Sequence, residues 1–317
     1  MTNELCGDEK DAVVIMNVIP RTFADGIVHP HEKKRRVANG HIVSIEYGAA
    51  LHEWGALSTR LLDAGAKIIS WNINQDLPDG GFIQDNGYIL WDFVDKHWKF
   101  IGLRMGTPAR RAEERAVLVS ATEHFEDVLP WDGPGCIEGG DIYPSVLLEG
   151  TPTVFVGLRT DVDSGISVRT DGAGLERFTE IVRAMGYDVV TVPFWDTLHL
   201  TSIGSFIGSD PGGIPTVLID ATRCDVRAFQ EHGVRVIDLP PDAHADAWGV
   251  NAIRINDSLI VQKGYASIEA LLRSEGFEDL TFVPWTQLRM VDGSLTCCCI
   301  IQTMPSGWNK GMALEFR

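Results

Sequence analysis

The chain has 317 residues, 44% hydrophobic and 22% charged, which is ample for a large buried core and excludes a disordered chain. Its 27 Lys and Arg against 44 Asp and Glu leave a formal charge of −17, a surface that repels nucleic-acid phosphates and anionic lipid. No apolar run reaches the roughly 18 residues of a bilayer span, and MTNELCGDEK lacks the basic and apolar regions of a secretory signal. Neither nucleic acid nor membrane is therefore expected as a partner.

The elements alternate from start to end. Val13–Val18 reads as a strand. Leu51, Trp54, Leu57, Leu61 and Leu62 recur at helical spacing, Gly65 ends that helix, and Ala66–Trp71 resumes as strand. A strand at Trp98–Leu103 precedes a helix from Ala109 to about His124. Val154–Leu158 is again strand-like. A helix over Gly174–Met185 carries Leu175, Phe178, Ile181, Val182 and Met185 on one face, Gly186 stops it, and Tyr187–Val192 follows as strand. Short strands at Thr216–Ile219, Val234–Ile237 and Leu259–Val261 lead to a helix at Ala266–Glu275, closed by Gly276. Such alternation predicts an α/β chain in one continuous architecture, with residues 1–317 forming a single catalytic domain. No internal sequence repeat is visible.

Six cysteines are present: Cys6, Cys136, Cys224, Cys297, Cys298 and Cys299. Three in a row make a poor disulfide framework, and no CxxC pair suggests zinc. Reduced thiols in a cytoplasmic protein are expected.

Three stretches break the rhythm. Cys136-Ile-Glu-Gly-Gly-Asp141 predicts a tight turn that brings carboxylates near a site, although a plain polar turn explains it equally well. In Asp196-Thr-Leu-His-Leu-Thr-Ser202, strand alternation would set His199 on one face with Thr197 and Thr201. A half-buried structural histidine is the bland alternative. Val291-Asp-Gly-Ser-Leu-Thr-Cys297 predicts a turn into an apolar strand, with Cys297 and Cys299 on one side and Cys298 on the other. A reactive cysteine needs a lowered pKa, normally from a nearby histidine or other positive group; otherwise it is a small hydrophobe. His29-Pro-His31 has no neighbours that complete a metal-ligand set. GxSxG, HExxH and phosphate-loop patterns are missing.

Taken in order, five segments resemble the guanidino-group modifying superfamily, the penteins, and within it the dimethylarginine dimethylaminohydrolase family. They are Leu77-Pro-Asp-Gly-Gly-Phe-Ile-Gln-Asp85, Arg110-Arg-Ala-Glu113, Glu138-Gly-Gly-Asp141, Leu198-His-Leu200 and Val291-Asp-Gly-Ser-Leu-Thr-Cys297. The resemblance implies an α/β fold of the pentein type, a five-bladed α/β propeller of pseudo-fivefold ββαβ units. It implies hydrolysis of a guanidine C–N bond, with Cys297 as nucleophile, His199 as acid/base and Glu138 supporting the histidine. Asp79 would bind the guanidinium, with Asp85 and Gln84 beside it. Arg110 would hold the amino-acid end of the substrate, and Val291 belongs to the same binding set. That chemistry requires no metal or organic cofactor. The expected partner is a small cationic or neutral guanidine, and assembly into a homo-oligomer is compatible with the sequence.

Two departures bear on the substrate. Thr201 stands two past His199, where arginine deiminases and amidinotransferases resembling this family carry an Asp, so those activities are less favoured. A strand similar to the family's FVGLSxRTN reads Phe155-Val-Gly-Leu-Arg-Thr-Asp161, which sets Asp161 where an arginine grips the substrate carboxylate. Unless Arg159 substitutes, this favours a carboxylate-free guanidine, such as nitroguanidine, slightly over methylarginine. An amidinotransferase and a non-catalytic pentein binding protein complete the alternatives.

Overall fold

The structure, a computed structural model, describes residues 12–26, 45–161 and 167–307; Cys6 and His29-Pro-His31 lie outside them. Among the described residues, fifteen strands form five three-stranded sheets. These are β3 (Gly87–Asp92), β4 (His97–Gly102), β5 (Asp127–Leu129); β6 (Val146–Leu148), β7 (Thr151–Arg159), β8 (Asp188–Phe194); β9 (Gly204–Ser209), β10 (Pro215–Ile219), β11 (Arg235–Asp238); β12 (Ala252–Ile255), β13 (Ser258–Gln262), β14 (Leu280–Val283); and β15 (Ile300–Gln302), β1 (Val13–Asn17), β2 (Lys67–Trp71). The middle strand of each sheet pairs antiparallel with one neighbour and parallel with the other.

A parallel pair needs a crossover, and in every sheet a helix lies in it. These are α1 (Tyr47–Asp63), α2 (Arg111–Ala121), α3 (Gly172–Ala184), α4 (Arg227–Gln230) and α5 (Ala266–Ser274). The unit of strand, strand, helix, strand thus recurs five times without a sequence repeat. Burial patterns rather than particular residues maintain it.

Helix α1 buries Ala50, Glu53, Leu57 and Leu61, positions three and four apart. Leu51 and Leu62, expected on that face, are 37% and 55% exposed, because each lies one residue, or about 100° of helical turn, from the inward stripe. Gly65, Gly186 and Gly276 follow α1, α3 and α5 with φ of +88°, +93° and +89°, a region that only glycine enters without steric cost. The expected helix at 109–124 is shorter. It begins as a 3-10 turn at Pro108–Arg110 and becomes α helix at Arg111–Ala121.

The inner strands β15, β3, β6, β9 and β12 surround a cavity of about 580 Å³, lined among others by Tyr88, Val146, Phe206, Ile253 and Ile300. A 3-10 turn precedes each of them in the chain: Ile83–Asn86, Gly139–Asp141, Leu200–Ser202, Pro241–Val250 and Thr296–Cys298. Three of these contacts are direct, the Ile83–Asn86 turn meeting those of Thr296–Cys298 and Gly139–Asp141, and the latter meeting Leu200–Ser202. The turns gather the side chains that carry the chemistry.

Two expectations for local structure are overturned. His199 is not within a strand; it is the extended residue (φ −135°, ψ 157°) that leads into the turn Leu200–Ser202. Cys297 lies in the turn Thr296–Cys298, and the strand begins only at Ile300, so alternation does not apply to the three cysteines. Cys298 and Cys299 pack in a hydrophobic core while Cys297 stays partly accessible.

Candidate active site

Glu138 is fully buried. Its carboxylate accepts from the Gly106 amide at 2.8 Å, lies 2.8 Å from His199 Nε2, and meets Arg169 Nη1 at 3.3 and 3.4 Å. Burial opposes the Glu138 charge, but the imidazole and Arg169 outweigh it and hold the carboxyl well below its usual range. His199 shows the reciprocal balance. Burial disfavours its protonated form, yet the carboxylates of Asp85, Asp141 and Glu138 raise its pKa above the ordinary value. Asp141 goes the other way: burial pushes it up to about 6, while its Oδ1 accepts from the Leu200 amide at 2.9 Å and so anchors the turn behind His199.

The second cluster centres on Asp85. Its Oδ1 accepts from the Gly140 amide at 3.0 Å and faces His199 Nε2 at 3.7 Å, while Oδ2 takes Arg110 Nη1 at 2.6 Å. Arg110 is itself buried, and its remaining donors reach both oxygens of Glu113 at 2.9 and 2.8 Å and the Phe82 carbonyl at 2.8 Å. This is a correction to the expected role. A guanidinium so committed braces the Asp79–Asp85 segment from behind and has little left for the amino-acid end of a substrate. Asp79 is buried in the turn Pro78–Gly81, and Gly26 comes so near that a β-carbon there would meet Asp79 Oδ1 at 2.8 Å.

Cys297 enters this cluster from the opposite turn. Its Sγ lies 3.1 Å from Ser294 Oγ. Asp292 ahead of it takes a left-handed conformation (φ +61°), reversing the chain after the turn Leu288–Val291. The thiol is pushed up to about 11, first by burial and then by the Asp85 charge, against smaller opposing effects of Ser294 and Arg110. A reactive cysteine calls for a depressed pKa, and the opposite shift here comes first from burial and then from a carboxylate, Asp85, where an imidazolium would have lowered it.

Gly139 and Gly140 serve close approach rather than an unusual φ. A β-carbon on Gly139 would collide with the Gln84 carbonyl, and one on Gly140 would lie 2.6 Å from His199 Cγ. Gln84 itself lines the central cavity, and its Oε1 finds no partner among the described residues. Val291 turns its side chain into the core with Leu288, Leu295 and Trp285, so any contact with a ligand falls to its backbone.

Sequence reasoning missed three groups. Asn251 bridges the histidine and cysteine turns. Arg104 lies beside Glu138 in the chain's β-bridge to Ile137. Arg169, 6% exposed, pairs with Glu138. The signal for Arg169 was present: Ser167-Val-Arg-Thr-Asp171 repeats the Ser-x-Arg-Thr-Asx part of the motif that had been read without a gap at Asp161. Strand β7 ends at Arg159, and Ser167–Asp171 leads directly into α3, with Asp171 as its N-cap. Arg159 does not replace the missing arginine, since its Nε is held by Asp161 Oδ1 at 2.7 Å.

Asp85, Glu138 and His199 bring ligand atoms within 4.8 Å of one another, close enough to seat a cation. Arg110 and Arg169 already balance the two carboxylates, so the set suits an organic cation at least as well as a metal.

Five strand–strand–helix–strand units around one axis, with these residues at one end of it, define the class: the fold is that of the penteins. Among solved structures it is similar to a dimethylarginine dimethylaminohydrolase from Pseudomonas aeruginosa complexed with citrulline (TM-score 0.72, 19% identity, covering 92% of this chain and 100% of that one). It is also similar to the N-terminal domain of ArgZ, a cyanobacterial arginine dihydrolase (TM-score 0.68, 18% identity, 93% and 99% covered). By sequence it is 24% identical over 271 residues to a dimethylarginine dimethylaminohydrolase of Streptomyces coelicolor, across 84% of this chain and 92% of the relative. An uncharacterized protein of Aeropyrum pernix is 26% identical over 252 residues, 79% of this chain and 83% of its own length. No family model matches. Among the described residues, no helix is long and apolar enough to cross a membrane.

Proposed function

We propose that this chain is a cysteine-dependent hydrolase that cleaves a C–N bond of a guanidine, the five sheets acting as one catalytic domain. The observation that carries it is the buried imidazole of His199, whose Nε2 lies 2.8 Å from Glu138 and 3.7 Å from Asp85, with the Cys297 turn packed against the Asp85 turn. A structural histidine has no use for three carboxylates, and a binding protein has no use for a thiol beside them. The relatives named as hydrolases of arginine derivatives, and an ArgZ structure covalently bound to a reaction intermediate, support the same chemistry.

The mechanism follows from the charges. A guanidinium seated by Asp79 and Asp85 neutralises the carboxylate that keeps the Cys297 thiol protonated. Binding the substrate then lowers the thiol pKa where sulfur must attack. The thiol gives up its proton to solvent and the thiolate adds to the guanidinium carbon, and His199 protonates the departing nitrogen as the C–N bond breaks. The remaining thiouronium is hydrolysed by water whose proton His199 takes back, releasing the urea-type product and free thiol. Every step uses residues of this chain.

For the far end of the substrate, two readings compete on specific observations. Arg169 pairs with Glu138, and its Nε, like that of Arg104, is buried with no partner among the described residues. This supports a carboxylate-bearing arginine derivative and weighs against the argument that rested on Asp161. The pairing of Arg169 with Glu138 supports a small carboxylate-free guanidine such as nitroguanidine, because a carboxylate would compete for that arginine. The five described cysteines are all free, which supports a reducing, cytoplasmic setting.

The test is a turnover screen of wild type and Cys297→Ala against methylarginine, arginine, agmatine, guanidine and nitroguanidine, following released amine or ammonia. Turnover that vanishes in the variant supports the reaction, and the preferred substrate selects between the two tails. Equal turnover by Cys297→Ala overturns it.

A further inference from the structure

Asn251 is fully buried and stands where the fourth turn of the ring, Pro241–Val250, ends. Its side-chain Nδ2 donates to the Thr201 carbonyl and to Thr296 Oγ1, both at 2.9 Å. Its Oδ1 accepts from the Thr296 amide at 3.1 Å. Thr201 follows His199 by two residues, and Thr296 directly precedes Cys297. One planar amide therefore ties the backbone of the histidine turn to both the backbone and the side chain of the nucleophile turn.

A second tie runs in the same direction: the Ala252 amide donates to Ser205 Oγ of β9 at 2.9 Å. His199 and Cys297 belong to turns that precede different sheets, β9 and β15. Their separation is set by what joins their turns. Asn251 is the side chain that bonds to both.

We propose that Asn251 is a positioning residue for this reaction, setting the distance and angle between the Cys297 sulfur and the His199 imidazole. The proposal rests on the guanidine-hydrolase reading but has a readout independent of turnover. An amide suits the task and a carboxylate does not. Both hydrogens of Nδ2 are donated, so Asp at this position has nothing to donate to the Thr201 carbonyl and sets a charged oxygen against it. A displacement of about 1 Å between reacting groups costs on the order of 10²-fold in rate.

The experiment compares wild type, Asn251→Ala, Asn251→Asp and Thr296→Val, each checked for fold by circular dichroism. Two quantities are measured: kcat and KM on the guanidine that wild type turns over, and the rate of Cys297 alkylation by chloroacetamidine relative to iodoacetamide. The first reagent is a cation that must seat beside Asp85; the second is neutral and reports the exposure and ionisation of the thiol without that seat. The expected result is a fall in kcat of about 10- to 100-fold with KM changed by less than about threefold, and loss of the preference for the cationic reagent. Thr296→Val removes one of the three bonds at constant shape, so it shows the same changes more weakly even where Asn251 variants fail to fold. Folded variants with unchanged kcat and unchanged reagent preference overturn the proposal. If wild type turns over no guanidine, the hydrolase reading fails by itself, and the reagent preference still decides whether Asn251 aligns the two turns.

Discussion

Gly140 lies so close to His199 that a β-carbon built on it would fall 2.6 Å from the imidazole Cγ and 2.7 Å from Nδ1. The same glycine donates its amide to Asp85, so it holds the carboxylate and abuts the imidazole at once. Gly140→Ala must therefore push the ring, the carboxylate or both out of place. Activity is expected to fall on the order of 10²-fold in a protein whose circular dichroism is unchanged. Unchanged kcat in a folded Gly140→Ala protein would show that the ring has room to move.

Glu138→Gln tests the charge on the histidine. Burial alone disfavours the imidazolium, so without the Glu138 charge the His199 pKa falls and the ring loses its proton at lower pH. The alkaline limb of the kcat profile should move toward acid, and kcat at neutral pH should fall about 10²-fold or more. A profile with an unmoved alkaline limb would mean that Glu138 does not set the protonation of His199.

The Cys297 thiol should behave as an unactivated one in the absence of substrate. With its pKa pushed up to about 11, alkylation by iodoacetamide should keep rising with pH well past 9, where an ordinary thiol has levelled off. Saturating guanidinium chloride at a non-denaturing concentration should shift this profile toward lower pH by screening Asp85. A plateau near pH 7 in the free protein would show a thiolate activated before substrate arrives.

Glu53 of α1 is 6% exposed, and its carboxylate accepts from the amides of Thr286 at 2.7 Å, Gln287 at 2.9 and 3.1 Å and Leu288 at 3.2 Å. It thereby caps the turn Leu288–Val291 that leads toward Cys297. Glu53→Ala leaves three amides short of an acceptor, and urea unfolding should register a loss of about 3 kcal/mol. Glu53→Gln, which keeps one carbonyl acceptor, should lose less. A stability unchanged within about 0.5 kcal/mol would mean that water or a neighbour replaces the carboxylate.

Much of the fold was legible because burial has a period. The strand-and-helix alternation is written in runs such as Val154–Leu158 and in the inward stripe of Phe178 and Val182. Gly65, Gly186 and Gly276 mark helix ends because their backbone conformation suits no other residue. The five motif segments named Asp79, Asp85, Arg110, Glu138, His199 and Cys297, and the structure draws Asp85, Arg110, Glu138 and His199 into one buried network.

Local pattern failed where partners are distant in the chain. Nothing around Trp248-Gly-Val-Asn251 announces a bridge to Thr201 and Thr296. The ungapped match at Asp161 could not show that the same Ser-x-Arg-Thr-Asx pattern recurs at Ser167–Asp171, where Arg169 meets Glu138. Arg110 is a cation by sequence, but only its burial among Asp85, Glu113 and the Phe82 carbonyl makes it a brace.

By itself, the sequence determined which residue types meet and the periodicities that build five similar units. Tertiary structure alone decided which charges face each other. Since a buried pKa depends on distance and desolvation, only the folded chain could raise the pKa of both His199 and Cys297, the first through the carboxylates that face it and the second through burial.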